Sequence, residues 1–362
     1  MLNKIKAVVV DDSAFMRKSL SIMLESDGDI EVIATARDGL EGLNVVKSLK
    51  PDIVTLDIEM PRMDGLTALQ KIMTECPTSV IMVSSITTEG AEATLKALEL
   101  GAVDFIPKEL SYVSVNIVKI KEELIRKVKE IVRHKAVQMR LRRIQGTSSG
   151  DSRTSFSSSS GRSTALQALP RIGYKAVSLG ISTGGPMSLQ KVIPGLAKNL
   201  NCPVFIVQHM PHKFTKSLAD RLNSMSQLEV KEAEHNESIR NGVVYIAPGG
   251  FHMTVRHAST GGNVIEISEK PEDTLHRPSV DVMISSVVKV YGKQTLGVIM
   301  TGMGKDGFEA IKELKALGGY AIAQDEQSCV VYGMPKAVVD GGCADVIVPL
   351  EKMSEIINKA II

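Results

Sequence analysis

Nine serines fall between Gly146 and Thr164, interspersed with Gly146, Gly150 and Gly161. A stretch so poor in apolar side chains cannot bury enough surface to order itself, so it reads as a flexible tether. Folding must therefore proceed separately on its two sides. The 362 residues suffice for two cores, since one core seldom grows past roughly 250–300 residues, and 43% hydrophobic content supplies an interior for each. The expected division is a first domain over 1–125, a helical extension and tether over 126–172, and a second domain over 173–362. Ahead of the tether, Ile120, Leu124, Ile125, Val128, Ile131 and Val132 share one stripe, which predicts a helix over Ile117–Ile144. Arg140, Arg142 and Arg143 read as its solvated basic end, favoured by the helix dipole.

The first half alternates apolar runs with helical stretches. Strands are expected at Ala7–Val10, Glu31–Ala34, Ile53–Leu56, Val80–Val83 and Val103–Ile106, the pattern of a doubly wound parallel sheet. Ligands of such sheets collect at the carboxyl ends of the strands. Asp11 and Asp12 follow the first strand, Asp57 the third, Ser84 and Ser85 the fourth, and Lys108 the fifth. Three carboxylates converging on one edge repel each other unless a cation lies among them, and hard oxygen ligands suit Mg²⁺. A helix-capping role for Asp11 or Asp12 would leave Asp57 and Lys108 unexplained.

Val10-Asp11-Asp12-Ser13, the run from Leu56 through Asp57-Ile58-Glu59-Met60-Pro61 to Gly65, and Phe105-Ile106-Pro107-Lys108 resemble the response-regulator receiver domain over about the first 125 residues. The resemblance implies a flavodoxin-like, five-stranded parallel sheet in which Asp57 accepts phosphate from a histidine kinase. It implies Asp12 as a direct Mg²⁺ ligand, Asp11 as a looser one, and the Glu59 main-chain carbonyl as another. Ser84 and Lys108 would contact the phosphoryl oxygens, with Phe105 at the aromatic switch position turning as Ser84 moves. In one departure from the family pattern, Pro107 precedes Lys108 and Glu109 follows it, so the usual cis peptide is not carried over.

Beyond the tether, strands are expected at Ala176–Leu179, Val204–Val207, Val230–Ala233, Leu296–Met300, Ala321–Ala323 and Asp345–Val348, with helices such as Leu189–Leu200, Lys213–Met225 and Phe308–Leu317 between them. Val243–Ala247 and His252–Arg256, joined by Pro248-Gly249-Gly250, read as an antiparallel hairpin. The expected fold is therefore doubly wound α/β with a mostly parallel sheet, mixed at one edge.

Three loops in this half directly follow apolar runs: Gly180-Ile181-Ser182-Thr183-Gly184-Gly185, Gln208-His209-Met210-Pro211 and Thr301 through Gly307. The first contains G-x-S-x-G, whose glycines permit a sharp strand-to-helix turn that exposes a serine at a helix N-terminus. Dinucleotide binding would require glycine at Ser182, where a side chain blocks the pyrophosphate. A capping turn could explain Ser182 alone, but His209 and Asp306 supply a base and its orienting group at the same sheet edge. The chain order Ser, His, Asp differs from the Ser, Asp, His order of α/β-hydrolases. His212, His235, His252 and His257 lack such positions and read as surface or structural residues.

Those loops, together with His276-Arg277-Pro278-Ser279-Val280-Asp281, are similar to the catalytic domain of the chemotaxis protein-glutamate methylesterases, the CheB family, from about Tyr174 to the C-terminus. The resemblance implies Ser182 as nucleophile, His209 as general base and Asp306 as its orienter, with Thr183 and Met303 lining the oxyanion site. It assigns the His276 segment no catalytic step. The implied substrate is a glutamate methyl ester or a glutamine on the helices of a chemoreceptor, the implied phosphodonor a chemotaxis histidine kinase. The esterase chemistry would need no cofactor, and the resting receiver would cover the Ser182 edge.

Charge and cysteine usage limit the competitors. A net charge of +2 gives no reason to expect nucleic acid or an anionic membrane as partner. The absence of a small helix-turn-helix module after the tether disfavours a DNA-binding output domain. A noncatalytic, receptor-binding output domain remains the alternative. Cys76, Cys202, Cys329 and Cys343 show no paired spacing, which suits reduced, buried thiols. Without a signal-peptide core or a bilayer-length apolar run, the expected protein is a cytoplasmic monomer that associates with receptor clusters.

Overall fold

The computed structural model describes residues 4–108, 116–146, 170, 172–259 and 261–362. The serine-rich tether, Glu109 and the side chains of Arg140, Arg142 and Arg143 lie outside the described residues.

The first half forms β1 (Ile5–Val10), α1 (Ala14–Glu25), β2 (Ile30–Ala36), α2 (Gly39–Leu49), β3 (Ile53–Asp57), α3 (Gly65–Glu75), β4 (Ser79–Ser84), α4 (Thr88–Glu99), β5 (Asp104–Pro107) and α5 (Asn116–Gly146). Its five strands are all parallel, in the order β2-β1-β3-β4-β5. Val8, Val9, Val54 and Val80 are fully buried, as befits strands covered on both faces. Side-chain caps fix where the helices begin: Ser13, Asp38, Asp64 and Thr87 each accept a first-turn amide. The stripe on α5 is buried as expected at Ile120, Leu124, Val128 and Ile131.

The second half contains β6 (Ala176–Ile181), α6 (Gly185–Val192), β7 (Val204–Gln208), α7 (Phe214–Met225), β8 (Glu229–Glu232), β9 (Val243–Ile246), β10 (His252–His257), β11 (Asn263–Ser268), α8 (Val280–Tyr291), β12 (Thr295–Ile299), α9 (Phe308–Ala316), β13 (Tyr320–Gln324), α10 (Met334–Asp340), β14 (Val346–Val348) and α11 (Met353–Ile361). Seven strands form one sheet in the order β14-β13-β12-β6-β7-β9-β8. Every pairing in it is parallel. From the central β6 the chain first moves to β7 and later returns on the other side as β12, so the topological switch point lies between β6 and β12.

An antiparallel hairpin is present, but its strands differ from those expected. β9 stays in the parallel sheet between β7 and β8, while β10 pairs with β11 as a separate two-stranded sheet. Pro248-Gly249-Gly250 leads the chain out of the sheet rather than back along it. A Cβ on Gly249 would stand 2.4 Å from the Pro211 carbonyl carbon, so glycine permits a close backbone approach there. The sheet is thus parallel throughout rather than mixed.

The two halves pack on each other through the α4, β5 and α5 side of the first. Phe105 stacks on Phe214 at 4.7 Å between ring centroids, and Arg221 pairs with Glu99 at 2.6 Å. One apolar cluster runs from Leu95, Leu98 and Phe105 into Phe214, Leu218 and Leu222. A second joins Leu124, Val128 and Ile131 of α5 to Met303 and Val331. Among the described residues, no helix is long and apolar enough to cross a membrane.

Candidate active site

The loops after β6, β7 and β12 meet at the switch point. The Ser182 amide donates to the Thr301 carbonyl at 2.9 Å, and the His209 amide to the Ile181 carbonyl at 3.2 Å, so the sheet register sets both side chains side by side. Gln208 reinforces this: its amide nitrogen donates to the carbonyls of Ser182 at 3.0 Å and His209 at 3.2 Å. Gly184 has a φ of 75°, and the helix after it starts with Gly185-Pro186, a turn that leaves Ser182 at the mouth of α6. Thr301 ties in a third loop: its hydroxyl lies 3.0 Å from the Thr183 carbonyl and accepts the amides of Val330 and Val331, each at 3.1 Å.

His209 Nε2 lies 2.8 Å from Asp306 Oδ2. The Asp306 carboxylate also accepts the amides of Val280 at 2.7 Å and Asp281 at 3.0 Å and the Ser279 hydroxyl at 3.0 Å, so it caps the N-terminus of α8. Burial alone would raise its pKa, but the His209 bond and charge and the amides of Asp281 and Val280 hold it well below the usual carboxylate range. An ionised carboxylate only accepts hydrogen bonds, so Nε2 is the donor in this pair. Nδ1 is buried and has no hydrogen-bond partner among the described residues. Ser182, Thr183, His209 and Met303 line one cavity of about 200 Å³. The same cavity is lined from the first half by Asp104, Pro107, Glu123, Arg126 and Lys127, so β5 and α5 stand across it.

His276 lies flat on the His209 ring, with centroids 4.1 Å apart and the planes 23° off parallel. Burial, then the neighbouring His209 charge, pushes the His276 pKa down to about 3, and the ring stays neutral. Asp281 accepts the Ala310 amide at 2.9 Å, and burial followed by the charge of Asp306 raises its pKa. The His276-to-Asp281 segment therefore acts on the site by placing Asp306 and walling His209. The buried His252 supports it in turn, since its Nδ1 accepts the Ser279 amide at 3.2 Å.

His276 has a consequence for acid stability. Its ordinary pKa is 6.5 and its folded value about 3, so between these limits the unfolded chain takes up a proton that the folded ring refuses. The contribution is present above pH 6.5 and lost as the pH falls towards 3. His276→Phe should shrink the loss in urea-unfolding free energy between about pH 7.5 and pH 5 by about 2 kcal/mol. An unchanged difference would mean the ring titrates normally in the folded protein.

At the edge of the other sheet, carboxylate oxygens of Asp11, Asp12 and Asp57 lie within 4.8 Å of one another. Lys108 Nζ approaches Asp57 at 2.6 Å and Asp11 at 3.3 Å, so one cation faces three acids and the residual negative charge fits a divalent, oxygen-seeking ion. Burial raises Asp57 to about 6 against the pull of Lys108. The Glu59 amide reaches Asp57 at 3.4 Å, and a groove of about 400 Å³ opens beside Asp12 and Glu59. Ser84 is buried and donates to the Gly90 carbonyl at 3.1 Å, turned towards α4.

Comparison with known proteins places both halves. Residues 177–357 match the model of the CheB methylesterase family, and residues 7–116 that of the response regulator receiver domain. A protein-glutamate methylesterase/protein-glutamine glutaminase of Oleidesulfovibrio alaskensis is 49% identical over 99% of both chains, and one of Nitratidesulfovibrio vulgaris 51% identical over 97% of both. The chain belongs to the CheB methylesterase family. Among solved structures, the CheB methylesterase catalytic domain of Thermotoga maritima is 44% identical, with a TM-score of 0.49, covering 51% of this chain and 97% of that one.

Within this CheB frame, the residues picked from sequence fall into two constellations, one at each sheet edge. Gln208, Thr301, His276 and Ser279 were missed as site residues. A lone glutamine closing the apolar run of β7 was the one signal for Gln208. Nothing local marked the amides of Val280 and Asp281, because a backbone donor leaves no trace in the side-chain sequence.

Proposed function

We propose that this chain removes methyl groups from glutamate methyl esters on chemoreceptors and deamidates receptor glutamines, under control of phosphorylation at Asp57. The observation that carries this reading is the His209 ring, bound through Nε2 to an ionised Asp306, with Nδ1 free of any partner among the described residues and the residue lining one cavity with Ser182. Nδ1 takes the Ser182 proton as the hydroxyl oxygen attacks the side-chain carbonyl. The proton then passes to the leaving methoxide or amide, so methanol or ammonia departs and one glutamyl-enzyme remains. Water activated at the same nitrogen releases glutamate. Donors around Thr183 and Met303 stabilise the oxyanion, each worth about 3 kcal/mol where well aimed. Asp306 stays charged throughout, which stabilises the imidazolium without accepting its proton.

Control follows from the interface. Asp12, Asp11, Asp57 and the Glu59 carbonyl would hold Mg²⁺, which offsets the charge of an incoming phosphoryl group. Phosphate from a chemotaxis histidine kinase, added at Asp57, would draw Ser84 and Lys108 towards it. Phe105 would follow Ser84 inwards and leave Phe214, weakening the packing that holds α5 over Ser182. The enzyme would work beside the cytoplasmic helices of clustered receptors. A fragment starting near Tyr174 tests the direction of control: without phosphodonor it should release methanol from methylated receptor membranes about tenfold faster than the resting full-length chain. A folded fragment slower than the resting protein would overturn obstruction as the mechanism.

A further inference from the structure

Leu275 is 83% exposed, the most exposed large apolar side chain among the described residues, and it stands on the rim of the cavity that holds Ser182 and His209. A leucine loose on a surface loop needs no explanation. This one is held out. Before it, the Thr274 hydroxyl lies 3.2 Å from His252 Nε2, and after it the His276 ring is stacked on His209. The Arg277 carbonyl accepts the Gly250 amide at 3.1 Å, and Arg277 pairs with Glu269 at 3.6 Å. These contacts fix the backbone on either side of Leu275, which holds the residue at the rim.

The mouth beside Leu275 already seats a helix. Glu123, Arg126 and Lys127 of α5 line the cavity at spacings of three and four residues, one face of one helix. α5 forms one wall of the cavity, so a protein substrate that reaches Ser182 must lie where α5 stands, across the same rim. α5 leaves Leu275 uncovered.

Resting on the reading of the site given above, we propose that Leu275 is a substrate-docking residue. Once α5 withdraws, an amphipathic helix bearing the reactive glutamyl group occupies the same mouth and packs an apolar residue, one turn from that group, against Leu275. Contact with the rim raises affinity for a helical substrate and contributes nothing to a free amino-acid ester, which is too small to reach it.

Full-length Leu275→Asp and Leu275→Met, activated with a small-molecule phosphodonor and Mg²⁺, would be assayed on methylated receptor membranes and on N-acetylglutamate γ-methyl ester. The aspartate variant should lose about tenfold in kcat/KM on membranes, chiefly through KM, and much less on the small ester, with the methionine variant near wild type on both. Equal losses on both substrates, or no loss on membranes, would overturn the docking role. Failure of the wild type to cleave either ester would instead sink the esterase reading itself.

Discussion

Ser182→Ala should fold as the wild type does and release methanol at least about a thousandfold more slowly from methylated receptor membranes. The backbone contacts of residue 182, its amide to Thr301 and its carbonyl to Gln208, do not involve the hydroxyl. Alanine keeps the Cβ that Gly302 packs beside. Only the atom that forms the ester bond is removed, so the thermal midpoint should stay put while turnover collapses. The remaining rate would come from His209 and the oxyanion donors acting on water, a slow route that other triad hydrolases retain. A variant that kept more than a few per cent of the wild-type rate would show that another nucleophile does the chemistry.

Asp57→Asn should abolish stimulation by a phosphodonor with Mg²⁺ while leaving the unstimulated rate close to wild type. The wild-type increase is expected at about tenfold to hundredfold, the range given by a shift of about 1.4–2.7 kcal/mol in docking. An amide forms no acyl phosphate, and removing one of three clustered carboxylates weakens the attraction for the divalent ion. A fall in the unstimulated rate would signal a disturbed Lys108 loop, which adjoins Pro107 in the Ser182 cavity, rather than loss of the phosphoacceptor. Undiminished stimulation would point to a different acceptor.

Much of this architecture was readable before any coordinates. Strands such as Val8 to Val10 and Val204 to Val207 are short runs of β-branched and aromatic residues because both faces of a parallel sheet are dry, and their acidic, serine or histidine termini mark the ligand edge. The hairpin was misplaced because a buried central strand and an antiparallel strand share one signature over four residues, and Pro248-Gly249-Gly250 looks like a turn whichever way the chain leaves it. Ser182, His209 and Asp306 each announced themselves by residue type and position. Their supports did not: the α8 amides that hold Asp306, the stack of His276 on His209 and the pairing of Phe105 with Phe214 are all set by register and packing between distant segments. Local pattern carries no record of them.

The apolar cluster that passes from Leu95 and Phe105 into Phe214 and Leu222 gives the two halves one continuous interior. Resting protein thus draws mechanical solidity from the same surface that keeps its nucleophile covered. On the control proposed above, activation would expose that surface to water and loosen the coupling between the halves, so the signalling state would also be the more open to proteases. Resistance to proteolysis and catalytic output would then move in opposite directions through a single interface.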